Sequence, residues 1–137
     1  MKAEGRCLCG AVEFSADDVE SDLHICHCSM CRRWVGGPTF SIAAKGVVFR
    51  GEENIQRYDS SAVAERGFCR ICGSSLFYRS KETGQYVLGM GAIDDQTSFR
   101  TGSEIYIDQK PPGYEIAGTH PRLTEEEFLA SHQASSG

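Results

Sequence analysis

The seven cysteines of this 137-residue chain fall into three short clusters separated by long gaps: Cys7-x-Cys9, Cys26-x-Cys28-x-x-Cys31 and Cys69-x-x-Cys72. Zinc sites are built this way, because each cluster supplies a rigid bite and the fold brings two bites together. An odd number of thiols leaves any all-disulfide scheme with one over, and a reducing compartment would not preserve such bonds. The spacing therefore asks for a fold organised around metal.

Cys69-Arg70-Ile71-Cys72-Gly73 has the form of a zinc knuckle, a tight turn that aims two sulfurs at one ion, with a glycine after it to accept the sharp backbone. Cys7-Leu8-Cys9-Gly10 is the same device one residue shorter. Together, Cys7, Cys9, Cys69 and Cys72 would make a closed, structural zinc site with no coordination position for substrate. Reading Cys69-x-x-Cys72 as a redox pair would require a helix start after a parallel βαβ strand, and no such pattern surrounds it.

Cys26, Cys28 and Cys31 remain. Three thiolates on one zinc leave a fourth position free, which is how a metal site becomes reactive. Such a site carries net negative charge, and Arg32 and Arg33 follow at once, so they are candidates to offset it and to bind an anionic ligand; a thiol-bearing acid would suit. Three alternatives stay open, one being that the three cysteines bind zinc weakly or not at all. His24 or His27 could complete a second closed site, and either arginine could be an ordinary solvated charge.

The rest of the sequence limits the partner classes. With 14 Lys and Arg against 19 Asp and Glu, the formal charge is −5, which disfavours attraction to nucleic acid or to an anionic membrane surface. No apolar run approaches the roughly 18 residues needed to span a bilayer, and Met1 leads into Lys2-Ala3-Glu4-Gly5-Arg6 without an apolar signal core. A soluble, cytoplasmic protein with a small-molecule partner is expected; the oligomeric state is not readable.

Alternating and β-branched segments predict short strands at 7–16, 38–44, 47–50, 65–69, 75–79, 85–90 and 104–108, punctuated by glycines. Residues 28–34 suit one or two helical turns, which would put Cys28 and Cys31 on one face. Thr124 with Glu127 three residues later predicts a capping box and a short helix over about 124–132, followed by a frayed tail from Ala134 to Gly137. The expectation is a mainly β single domain of short antiparallel strands around zinc, with short helices.

The motifs Gly5-x-Cys7-x-Cys9-Gly10-x-Val12, His27-Cys28-Ser29-x-Cys31-Arg32-Arg33, Tyr58-x-Ser60-Ser61 and Arg66-x-Phe68-Cys69-x-x-Cys72-Gly73-Ser74-x-Leu76 resemble the glutathione-dependent formaldehyde-activating enzyme family, also called the GFA or CENP-V family, over about residues 5–116. The resemblance implies a β-tent fold, a structural zinc on Cys7, Cys9, Cys69 and Cys72, and a second zinc on Cys26, Cys28 and Cys31. It also implies that glutathione binds at the second zinc and condenses with formaldehyde to S-hydroxymethylglutathione, a carbon–sulfur lyase reaction. A non-catalytic glutathione carrier or zinc-stabilised binding module on the same scaffold is the alternative, and the three extra cysteines favour ligand binding. Methionine-sulfoxide reduction is set aside because no cysteine follows Cys72. Where many relatives carry a histidine before the late strand and a tryptophan after the proline, this chain has Glu104 and Gly113, expected at the pocket rim. Asp94 is expected to cap a turn.

Overall fold

The computed structural model describes residues 1–136, with side chains through Ser131. The fold is mainly β. The chain forms two compact units, one of Met1–Ser21 with Ser41–Phe99, the other of Asp22–Phe40 with the chain from Arg100 onward.

The first unit contains β1 (Ala3–Arg6), β2 (Glu13–Val19), β4 (Thr39–Arg50, from Ser41 onward), β5 (Ile55–Asp59), β6 (Ala64–Cys69), β7 (Ser75–Ser80) and β8 (Tyr86–Gly89). These pair antiparallel in the order β1-β2-β4-β8-β7-β6-β5. Inward-facing Val12, Phe14, Ile42, Leu76, Phe77, Leu88 and Ile93 are buried. Each full burial of such a side chain contributes about 1.5–3 kcal/mol. Phe49 stands against Phe14, Phe77 and Tyr86 with ring centroids 6.1, 5.3 and 5.5 Å away. The Arg57 guanidinium lies 4.9 Å over Phe77.

The second unit contains β3 (Asp22–Cys26), α1 (Ser29–Val35), β9 (Arg100–Ile105), β10 (Arg122–Leu123) and α2 (Glu125–Ser136). Its pairings are parallel: β3 lies along β9 with Ile25 opposite Glu104, and β10 lies along β9 with Arg122 opposite Glu104. Glu104 is thus flanked by a strand on both sides. Helix α2 opens with both arms of a capping box, Glu127 N–H to Thr124 Oγ1 at 3.2 Å and Thr124 N–H to Glu127 Oε1 at 3.0 Å. No breaker interrupts Ala134, Ser135 and Ser136, and the helix reaches Ser136 where a tail was expected; Gly137 lies outside the described residues.

Other expectations shift for physical reasons. The strand expected over 7–16 starts only at Glu13, because Cys7–Val12 is a turn closed by Cys7 N–H to Val12 O at 3.0 Å and Gly10 N–H to Cys7 O at 3.2 Å. The strands expected at 38–44 and 47–50 are one, β4, since Gly46 takes φ 64° without breaking the ladder to β2 on either side of it. β9 ends at Ile105, where Tyr106 turns to φ 57° and the chain enters a 3-10 turn over Ile107–Gln109. The carboxylate that caps the turn after Ile93 is Asp95, which accepts from Thr97 N–H at 3.0 Å. Among the described residues no helix is long and apolar enough to cross a membrane.

Candidate metal centres

Each unit gathers one set of cysteines. In the first, the Sγ atoms of Cys7, Cys9, Cys69 and Cys72 all lie within 4.8 Å of one another. Two turns of like construction bring them there. Cys69 N–H bonds to Ser74 O at 3.0 Å and Gly73 N–H to Cys69 O at 2.7 Å, repeating the pattern of Cys7, Val12 and Gly10. The glycine after each second cysteine has φ 80°, a left-handed conformation that a side chain would strain. Leu8 N–H donates to Ser74 Oγ at 3.0 Å and ties the turns together.

The donor set fits zinc. Sulfurs about 2.3 Å from a tetrahedral ion are separated by about 3.8 Å, and the spacings here are 3.7 Å for Cys7 to Cys9 and 3.8 Å for Cys9 to Cys69. The thiols are also pulled apart in acidity. The Ser74 hydroxyl and the Cys9 and Ser74 N–H groups lower Cys72 to about 5. The Ala11 N–H favours the Cys9 thiolate, but burial and the neighbouring sulfurs outweigh it and push Cys9 up to about 11. Burial alone would raise Cys7, yet the Val12 N–H at 3.3 Å and its sulfur neighbours leave it lowered. A dication taken up by this cluster would displace protons, so its affinity would decrease on acidification.

In the second unit the Sγ atoms of Cys26, Cys28 and Cys31 lie within 4.8 Å of one another. Cys26 ends β3, and Cys28 is the N-cap of α1, its sulfur accepting from Cys31 N–H at 3.4 Å. The helix places Cys31 one turn on and stops at Gly36, φ 84°, whose N–H reaches Arg32 O. Hydrogen bonding with Cys28 and Cys31, then burial, raises Cys26 far above an ordinary thiol. Cys26 and Cys31 are buried and Cys28 is half-buried.

Among the described residues no histidine or carboxylate joins this trio. His24 Nδ1 is 2.7 Å from Ser103 Oγ. His27 has both ring nitrogens engaged, Nδ1 with the Tyr114 hydroxyl and Nε2 with Glu104 Oε1, each at 2.7 Å. The alternative of a second closed site therefore finds no fourth ligand in either histidine. Arg32 donates through Nε to His27 O at 2.9 Å and is half-buried, while Arg33 is exposed.

Glu104 was expected at a pocket rim and is instead 1% exposed. Its Oε2 takes His120 Nε2 at 2.6 Å and Arg122 Nε at 2.7 Å, while Oε1 takes His27. Burial would raise its carboxyl, but His120, His27 and the Arg122 cation hold it below the usual value. Burial leads in raising the Tyr114 phenol. Its ring stacks on His27 at 5.5 Å, and Lys110 Nζ lies 5.0 Å from its centroid. Sequence reasoning did not find this group, because Tyr114, His120 and Arg122 have no periodic or motif relation to Glu104; strand register places Arg122 beside it, and the irregular chain before β10 brings in Tyr114 and His120. Gly113 is exposed.

The sequence profile described as Glutathione-dependent formaldehyde-activating enzyme matches residues 2–109. An uncharacterized lyase of Schizosaccharomyces pombe is 33% identical over 131 residues, covering 93% of this chain and 95% of that protein. A Halomonas elongata protein provisionally named a glutathione-dependent formaldehyde-activating enzyme is 28% identical over 128 residues, covering 85% and 82%. A crystal structure of a Rhodobacter sphaeroides protein matches with a TM-score of 0.56 at 24% identity, covering 87% of this chain and 98% of that one, which speaks to the fold. The match spans all three cysteine clusters, and with the relatives' coverage of nearly the full length it shows that this chain belongs to the glutathione-dependent formaldehyde-activating enzyme family.

Proposed function

We propose that this protein is a zinc-dependent carbon–sulfur lyase that holds glutathione, or a similar thiol, at Cys26, Cys28 and Cys31 and joins it to formaldehyde or a related aldehyde. The observation that carries this reading is a trio of converging sulfurs with no fourth protein ligand among the described residues, alongside a four-sulfur set that needs none. Family membership and the names of the relatives support the thiol and the aldehyde.

Zinc held by the trio would supply a Lewis acid that lowers the pKa of an incoming thiol. The chain's own residues do the rest. Cys26 and Cys31 are buried and keep water from the inner side of the site. Arg32 and Arg33, in the last turn of α1, are the groups assigned to a glutathione carboxylate; the bond from Arg32 Nε to His27 O fixes where its guanidinium stands. In the reaction a sulfur–carbon bond forms, the carbonyl π bond opens, and the thiol proton ends on the aldehyde oxygen. Cys7, Cys9, Cys69 and Cys72 take no part beyond holding their zinc.

The test is glutathione binding by calorimetry with zinc-loaded wild type and Cys28→Ala. The variant is expected to keep its fold and the first-unit zinc and to lose glutathione binding. Wild-type-like binding by the variant would contradict the assignment.

A further inference from the structure

His27 sits between two of the sulfurs just assigned and is tied down at every polar atom. Its N–H donates to Ile105 O at 3.1 Å, its carbonyl accepts from Arg32 Nε at 2.9 Å, and its ring nitrogens meet Tyr114 and Glu104 at 2.7 Å each. It is 0% exposed. The corresponding residue in the first unit, Leu8 between Cys7 and Cys9, is 81% exposed. The two sites thus differ in how the spacer between neighbouring ligands is held.

The polarity of the network is set by its acceptor. An ionised carboxylate can only accept. Glu104 Oε2 receives Arg122 Nε–H and His120 Nε2–H, so Oε1 requires the hydrogen of His27 on Nε2. In the neutral ring Nδ1 then carries the lone pair, and the Tyr114 hydroxyl donates to it. Every link has one direction, which locks the orientation of the ring and with it the peptide units on either side. The β3–β9–β10 register that puts Ile25 and Arg122 opposite Glu104 anchors the whole chain of bonds in the sheet.

We infer that Tyr114, His27, Glu104, His120 and Arg122 form a positioning network for the three-cysteine site, fixing the Cys26–Cys28 backbone so that the sulfurs converge before an ion arrives. The inference rests on the proposed metal role of that trio. A site with three protein ligands lacks the fourth bond that helps a closed site hold its ion, and ordering of the ligands during folding, rather than on binding, offsets the deficit. It also gives Glu104 a purpose at a position buried away from the expected rim.

The experiment measures zinc dissociation constants of both sites in the full chain by chelator competition, with cobalt absorption distinguishing four-thiolate from three-thiolate coordination. Glu104→Gln replaces one acceptor oxygen by an amide NH2, which faces a donor whichever way the amide turns, either His27 Nε2 or the His120 and Arg122 pair, and it is expected to weaken the three-cysteine site about 10–100-fold while the four-cysteine site is unchanged. Tyr114→Phe, which keeps the ring stack, is expected to weaken the same site by a smaller factor and serves if Glu104→Gln does not fold. Unchanged affinity at the trio would overturn the inference, and so would equal weakening of both sites, which is what a purely structural role gives. Wild type that takes one zinc, at the four-cysteine set alone, would instead remove the metal reading of the trio and the inference with it.

Discussion

The two cysteine sets are held by opposite means. The first is formed by two turns of similar design on the first unit, with their tips in solvent: Leu8 is 81% and Ile71 62% exposed. Few packed side chains hold those tips, so an ion there would be the crosslink between Cys9 and Cys69, sixty positions apart, and folding and loading would be coupled. The second draws its sulfurs from a strand end and the first turn of a helix, and its spacer is buried in a polar network. There the fold would stand ready and an ion would add little to it. Four ligands with little scaffold suit a structural crosslink; three ligands on a rigid scaffold suit a place for something else to bind.

Variants can break this comparison. The largest effect is expected for Cys69→Ser, which removes a buried ligand of the closed set: loss of one zinc and more than about 4 kcal/mol of stability in urea unfolding. Chelation of wild type should destabilise to a similar extent, mainly through this site. A drop no larger than that of a trio variant would erase the distinction.

Glu104→Gln comes next, at about 2–3 kcal/mol near neutral pH, because it disrupts a buried ion-pair network. Its sign with pH is defined. The folded carboxyl is held below its unfolded value, so its contribution is present above the unfolded value and is lost as pH falls through the folded one. The gap in urea midpoint between wild type and variant should therefore narrow from about pH 7 to about pH 3. A gap that widens on acidification would show that the charged form is not the one stabilised.

Cys31→Ser should cost only about 1 kcal/mol in stability, yet remove the second metal and with it glutathione binding, as read by metal analysis and calorimetry. Smallest of all is Gly73→Ala. Its φ of 80° strains any side chain while the space around it is open, so about 1 kcal/mol or less is expected, confined to the first unit. A larger loss, or one that lowers occupancy of the trio, would mean the two sites are less independent than their construction suggests.

Legibility in the sequence followed the same divide. The two cysteine sets were visible from spacing alone: Cys7-x-Cys9 and Cys69-x-x-Cys72 are local turns with a following glycine, and Cys28 and Cys31 are three residues apart at the start of one short helix. The β class was legible for the same reason, and the capping box at Thr124 and Glu127 could be read directly. Several strands were not. β1, β3 and β5 carry Glu4 and Arg6, Asp22 and His24, and Gln56, Arg57 and Asp59, which dilute the apolar alternation that signals a strand. β10 is two residues long. The buried network was hidden because it depends on the parallel register of β3, β9 and β10, and nothing local in Glu104 distinguishes a solvated carboxylate from one enclosed by two histidines and an arginine.

The most direct test of the account is the rate of S-hydroxymethylglutathione formation from glutathione and formaldehyde, followed by NMR exchange with zinc-loaded wild type, zinc-loaded Cys31→Ser and no protein. Acceleration by wild type alone is the predicted result. Equal rates in all three would contradict an enzyme acting on this pair of substrates, and acceleration by wild type and Cys31→Ser alike would place the chemistry somewhere other than the three-cysteine site.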